Sequence, residues 1–198
     1  MRLTLRPGTL IVLEGLDKTG KSTQSKALRE VLDPFSTHHI HMPSGLTAFT
    51  DETYSILESG IRAPSSGVAK QLAHLACHAE SIPQISELLA TQAVVLDRWW
   101  WSTYAYGWYS GDFPAAGVTQ LTFHNLVDSI WSPLAASLVC LFDKPYEDDA
   151  NNSDPILYGY QELARLHQGI TFRVPQDEST NVTKSIVAAL RDRNLLDD

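Results

Sequence analysis

The chain has 198 residues, 43% apolar and 19% charged, an ordinary globular composition long enough for one domain with a full core. Its net charge of −8 and the lack of any basic stripe exclude a nucleic-acid-binding surface, because neutralising phosphates needs clustered Lys and Arg. No run approaches the roughly 18 apolar residues of a membrane span, so no membrane partner is expected.

In chain order, residues 1–7 carry Arg2 and Arg6, but the apolar run behind them is too short for a signal peptide. A cytoplasmic chain is expected, with Cys77 and Cys140 as free thiols and the sequons at 151–153 and 181–183 unused. Residues 9–13 are apolar and β-branched, the pattern of a strand buried on both faces. Gly15-Leu16-Asp17-Lys18-Thr19-Gly20-Lys21-Ser22 then meets the phosphate-loop pattern G-x-x-x-x-G-K-[ST] at every fixed position. A helix follows, with Ala27, Leu28, Val31 and Leu32 at helical spacing. Strand before and helix after are the context that this pattern requires.

The residue types suit an anion. Gly15 and Gly20 let the backbone turn sharply and approach a phosphate with no Cβ in the way. Amides from about 18 to 23 point at the ligand from the positive end of the helix. Lys21 supplies a mobile, exposed charge for the β- and γ-phosphates, and the Ser22 hydroxyl is a Mg²⁺ ligand.

Residues 37–42 are read as a second strand, and Pro43-Ser44-Gly45 as a turn. Helices are expected over 47–57 and, after a cap at Ser65 or Ser66, over 68–89 with a kink at Pro83. Residues 93–97 (AVVLD) are a third strand ended by an acid, and the aromatic run 99–109 is ambiguous. A loop at 111–117, a helix over 118–131 and a strand over 136–142 follow. Residues 143–155 read as a mobile acidic loop, before helix 156–168, strand 170–174 and helix 179–190. Alternating strands and helices predict an α/β fold: a single-domain, three-layer P-loop NTPase fold over 1–198, with a five-stranded parallel sheet flanked by helices. Its site belongs in the crevice at the carboxyl ends of the strands, where residues 14–21, 43–45 and 97–98 lie.

Asp97 ends its strand as a Walker-B-type acid does and is expected to hold Mg²⁺ through water. Arg98 offers a planar fork for a second phosphate; the plain alternative is a surface pair capping a strand. His39 and His41 share a strand face, but no Cys or carboxylate completes a metal site, so a polar strand near the sheet edge is expected. Trp99-Trp100-Trp101 with Trp108 read as core and dimer packing ahead of base stacking. His74 and His78 lie one helical turn apart on one face.

Leu13-Glu14-Gly15-Leu16-Asp17-x-x-Gly20-Lys21-Ser22-Thr23-Gln24 resembles the E-G-x-D-x-x-G-K-[ST]-T-Q signature of thymidylate kinases. Asp97-Arg98-Trp99 with Ser102, Ala105 and Tyr106 resembles that family's D-R-Y-x-x-S-x-x-A-[YF] segment. Residues 74–85 (HLACHAESIPQI) resemble the helix carrying F-x-A-N-R-x-E-x-[VI]-x-x-I. The resemblance implies a homodimeric kinase that moves the γ-phosphoryl of ATP, with Mg²⁺, to a deoxynucleoside monophosphate, dTMP first. It implies ATP binding by Gly15, Lys18, Thr19, Gly20, Lys21, Ser22 and Thr23, with the metal at Ser22 and Asp97. Lys21, Lys18, Arg98 and Asp17 become the catalytic set. Asp17 matches the acid at the acceptor 3′-hydroxyl, Arg98 the arginine on the acceptor phosphate, and Lys18 the loop position that steadies the transferring group. Tyr106 matches the segment lining the deoxyribose.

The departures lie around the base. His74 stands where the family has a Phe that stacks on thymine, and Cys77-His78 replaces Asn-Arg, although both histidines are expected to line the acceptor base. The lid, about 143–155, has no arginine: between 99 and 164 Lys144 is the one Lys or Arg, amid Asp143, Glu147, Asp148, Asp149 and Asp154. The acceptor could therefore be dGMP, dUMP or a modified deoxynucleotide. From another class, the chain could be a nucleotide-binding switch or a non-catalytic homologue. A switch needs no second phosphate site, so Arg98 speaks against it.

Overall fold

The strand Leu10–Gly15 (β1) sorts its side chains by simple alternation. Leu10 and Val12 join a core on one face of the sheet, while Ile11 and Leu13 join a second core on the other. The computed structural model describes residues 2–43 and 45–197. Strands β2 (Thr37–His41), β3 (Ala93–Asp97), β4 (Leu138–Phe142) and β5 (Thr171–Arg173) complete a sheet of order β2-β3-β1-β4-β5. All four neighbouring pairs are parallel, with Leu13 beside Asp97 and Glu14 beside Leu141. The helices are α1 (Lys21–Val31), α2 (Ala48–Leu57), α3 (Gly67–Leu89), α4 (Trp100–Tyr104), α5 (Asp112–Ala115), α6 (Gln120–Trp131), α7 (Asp154–Leu166) and α8 (Ser179–Asp192).

Helices α1 and α8 cover one face through Leu28, Val182, Ile186 and Leu190. The other face receives Leu75 and Ile85 from α3, Phe123 from α6 and Tyr160 from α7. The result is the expected three-layer P-loop NTPase arrangement, with β1 in the middle of the sheet. β2 lies at the edge, which explains how a strand reading Thr-His-His-Ile-His buries only Thr37 and Ile40 fully.

Several elements differ from the sequence expectation. β1 continues through Glu14 and Gly15, because both are completely buried beside β4. α3 starts one residue earlier than expected, at Gly67, while its cap at Ser66, whose hydroxyl accepts the Ala69 amide hydrogen at 3.4 Å, and its passage through Pro83 are as expected. The aromatic run is helical: α4 leads into a π-helical segment, Ala105–Tyr109. Trp99, Trp100 and Trp101 are core residues, as expected, with Trp101 fully buried and Trp99 packed edge-on to Trp100 and Trp131, and Trp108 is partly buried against the same core. The loop at 111–117 contains the single turn α5. Of the turn at 43–45, Ser44 lies outside the described residues.

Candidate active site

Close packing sets the start of the phosphate loop. Gly15 has φ +133°, and a Cβ there would lie 1.9 Å from the Phe142 carbonyl oxygen, which also accepts the Leu16 amide hydrogen at 3.0 Å. No other residue fits between β1 and β4 at that point. Gly20, with φ +89°, closes the loop as the N-cap of α1. Thr19 ties the loop to itself by donating from its hydroxyl to the Leu16 carbonyl at 2.8 Å.

Lys21 is not the exposed, mobile side chain expected of an open loop. It is 6% exposed, and its Nζ donates to the carbonyl oxygens of Gly15 at 3.1 Å and of Leu16. Burial pushes its ammonium down to about 7, with the Arg98 charge acting in the same direction. Three loop oxygens nonetheless surround it, because Thr19 Oγ1 is 3.4 Å away. Gln24, one turn further along α1, holds that helix to α8 by donating to the Ser179 carbonyl at 3.0 Å and accepting from the Thr183 hydroxyl at 2.8 Å.

The second phosphate site expected at Arg98, the arginine site, is built from β3 and the start of α4. Arg98 adopts a left-handed backbone with φ +78°, a conformation that costs a non-glycine residue about 1–3 kcal/mol. Glu14 offsets that strain from beneath. Its buried carboxylate accepts the amide hydrogens of Trp99 at 2.7 Å and Ser102 at 2.9 Å, and the Ser102 hydroxyl at 2.7 Å. The Tyr160 hydroxyl donates to it at 3.3 Å. Burial raises the Glu14 carboxyl above its ordinary value, against the opposing pull of Arg98.

Arg98 is fixed by three groups. It donates to the Gly15 carbonyl at 3.1 Å and the Ser102 hydroxyl at 3.1 Å, and forms an ion pair with Asp17. Burial disfavours its charge, but Tyr160, Asp17 and Glu14 outweigh that and hold its pKa above the usual arginine value. The Tyr106 ring, in the π-helical segment, lies 5.8 Å from the guanidinium carbon. Asp97, beside Arg98, meets His41 Nδ1 at 3.2 Å. Burial would raise the Asp97 carboxyl, yet the His41 hydrogen bond and charge hold it below its ordinary value. So His41 does find a carboxylate on the neighbouring strand. Among the described residues, however, no cluster of three or more His, Cys, Asp or Glu could hold a metal ion.

These groups border a continuous track. A cleft of about 270 Å³ is lined by the loop residues from Asp17 to Thr23 together with Asp97 and Arg98. Asp17 and Arg98 also line a cavity of about 430 Å³, with His74, His78, Tyr106 and Ser102. On the other side, Thr19, Gly20 and Thr23 also line a cavity of about 330 Å³, closed by Tyr146, Pro175 and Gln176. Every candidate site residue named from the sequence except Gly15 lines this track, and the Gly15 carbonyl holds two that do, Lys21 and Arg98. Ser22 and Asp97 share the central cleft as two hard oxygen donors, the chemistry that Mg²⁺ takes alongside phosphates.

In the acceptor-side cavity His78 is buried, and its Nδ1 accepts the Trp131 indole hydrogen at 3.2 Å. Burial lowers its pKa to about 3 and that of His74 to about 4, so both rings are neutral at pH 7. Sequence reasoning assigned no role to Trp131, Tyr160, Tyr146 or Asn152. Glu14 and Ser102 carried a signal, as fixed letters of the two quoted motifs; Asn152 carried none beyond an idle sequon.

The solved structure of a thymidylate kinase from Ehrlichia chaffeensis superposes with a TM-score of 0.74 over 94% of this chain and 100% of that one, at 20% identity. A thymidylate kinase from Candida albicans gives 0.71 over 97% and 96%, at 22% identity. Both show the fold. A curated thymidylate kinase from Chlorobium phaeobacteroides is 40% identical over 104 residues, 50% of this chain and 47% of that one. The matched stretch thus spans about half the length of that relative. The sequence model of the thymidylate kinase family matches residues 13–126, from the end of β1 into α6. That stretch is more than half of the chain and carries both the phosphate loop and the arginine site, so this chain belongs to the thymidylate kinase family.

Proposed function

We propose that this chain transfers the γ-phosphoryl group of ATP to dTMP, giving dTDP and ADP. The observation that carries the reading is the Arg98–Asp17 pair, which lines both the phosphate-loop cleft and the larger cavity beyond it. A site for one nucleotide needs no such joint. With ATP phosphates in the cleft and an acceptor in the cavity, Arg98 would hold the acceptor phosphate in line with the γ-phosphate. Catalysis is then mostly positioning and charge stabilisation. Lys21 would exchange its loop carbonyls for phosphate oxygens, and Lys18 would lie over the transferring group. Mg²⁺ bound at Ser22 and, through water, at Asp97 would supply charge neutralisation on the phosphates.

The base end supports a base with a keto oxygen. Because His78 Nδ1 accepts from Trp131, the proton of the neutral ring sits on Nε2 and offers a donor to the cavity. Thymine presents an acceptor at that edge, whereas cytosine presents an amino group. His74 supplies a flat neutral ring beside it. A steady-state screen of deoxynucleoside monophosphates with ATP tests this: dTMP is expected to have the highest kcat/KM and dCMP a far lower one. Equal use of dCMP would contradict it. The sugar gives a sharper test. Asp17 as acceptor for a 3′-hydroxyl predicts that 3′-deoxy-dTMP loses about 1–3 kcal/mol of transition-state binding, roughly fivefold to 150-fold in kcat/KM. Equal rates for the two would remove Asp17 from the sugar site.

We place the enzyme in the cytoplasm as a homodimer. No helix among the described residues is long and apolar enough to cross a membrane. Phe49 and Ile56 of α2, Leu72 of α3, and Leu121 and Leu126 of α6 are exposed, and α3 packs against both other helices. Sedimentation of wild type and Leu121→Glu/Leu126→Glu checks the dimer: loss of the heavier species only in the variant is the expected result.

A further inference from the structure

We propose that residues 143–153, the segment between β4 and α7, form a fixed strap on the phosphate loop rather than an opening lid, and that Asn152 is a positioning residue for the kinase reaction proposed above. The segment has no helix or strand of its own, and sequence reasoning took it as mobile. Its contacts run to the phosphate loop on one side and to residues 176–177 on the other. The Asn152 side chain grips the Asp17 peptide from both sides: Oδ1 accepts the Asp17 amide hydrogen at 2.8 Å, and Nδ2 donates to the Asp17 carbonyl at 2.8 Å. The amide of Tyr146 donates to the next carbonyl along, that of Lys18, at 2.9 Å.

Three backbone polar groups of two consecutive loop residues are therefore satisfied by the strap. Lys18 has φ +58°, so the loop is held in a conformation that a lysine resists when left alone. The far side of the strap is tied as well. The Tyr146 hydroxyl donates to the Asp177 carbonyl at 2.8 Å, and Gln176 Nε2 donates to the Pro145 carbonyl at 3.1 Å. Both acceptor and donor of the Asn152 amide are used, which an aspartate or an alanine cannot reproduce.

The charge of the segment fits a strap better than a lid. A closing lid is useful when it delivers cations to the transferring phosphate. Here the acidic Glu147 and Asp148 are exposed, and the segment's single cation, Lys144, lies outside the central cleft. What the segment delivers instead is geometry. By fixing the Asp17 peptide, Asn152 aims the Asp17 carboxylate at Arg98, and thus at the boundary between the two nucleotide sites.

Hydrogen exchange on the full-length nucleotide-free protein tests the strap. A peptide covering 143–153 is expected to be protected before any nucleotide is added, with little further slowing on adding ADP. Rapid exchange that slows strongly with ADP would describe a lid and overturn the proposal. The positioning role is read with Asn152→Ala and Asn152→Asp, after thermal unfolding confirms that each is folded. Both are expected to lower kcat with dTMP about tenfold or more and to shrink the preference for dTMP over 3′-deoxy-dTMP, with KM for ATP little changed. A merely structural asparagine would slow both acceptors equally, and an unchanged preference would overturn the role. Wild-type turnover of dTMP reports separately on the kinase reading, since the exchange result does not depend on it.

Discussion

Replacing Lys21 with alanine is expected to lower turnover by about three powers of ten or more, the scale on which charges at a transferring phosphoryl act. The lysine lies under its loop, surrounded by the Gly15 and Leu16 carbonyls and the Thr19 hydroxyl. Removing it has two opposed effects on the fold. It relieves a buried ammonium whose pKa burial has pushed down to about 7, and it leaves a cavity under the loop, although the Gly15 carbonyl keeps Arg98 and the Leu16 carbonyl keeps Thr19 as donors. The second loses the packing of the lysine stem, so the variant should be folded but somewhat less stable. Lys21→Met, which keeps the bulk, separates the two effects: stability is largely restored while activity is not. A folded Lys21→Ala with near-normal kcat would show that ATP does not react in this loop.

Lys18 is the next largest expected effect. A positive group should meet the charge that develops on the transferring phosphoryl, and such groups are worth about three to five powers of ten in rate. Lys18 lines the central cleft with Lys21 and Arg98, and its side chain is exposed and unburdened by the contacts that hold the other two. Because its backbone is left-handed at φ +58°, glycine is the clean replacement: it keeps the turn and removes the charge. Lys18→Gly is expected to lower kcat far more than it raises KM for ATP, the pattern of a group felt mainly in the transition state. Lys18→Arg should keep most activity. Lys144 borders the outer cavity and not the central cleft, so Lys144→Ala should leave kcat within a factor of about two. If Lys144→Ala is the crippling change and Lys18→Gly the mild one, the strap supplies the charge.

What the sequence revealed, it revealed where chemistry is local. Strand periodicity, two loop glycines and an acid-arginine pair closing an apolar strand place the sheet and its switch point without any tertiary knowledge. The central strand ran two residues further than its apolar pattern because Glu14 is buried, and burial of a carboxylate is visible only once five donors, the Gly15 amide at 3.2 Å among them, gather around it. Lys21 was misjudged for a related reason: residue type gives its charge, but its depth is set by the fold of the loop over it. The aromatic run 99–109 has no single period because it changes from α to π turns midway. Asn152 was illegible, since its two hydrogen bonds reach 135 residues back along the chain.

The central claim is transfer of a phosphoryl group between two nucleotides across the Arg98–Asp17 boundary. Its most direct test follows ATP labelled in the γ-phosphate, incubated with Mg²⁺, dTMP and the full-length protein. Stoichiometric passage of the label into the β-phosphate of dTDP is expected, with ADP as the other product. Release of the label as inorganic phosphate at the same rate with or without dTMP would contradict it, because that is the behaviour of a chain with only one nucleotide site.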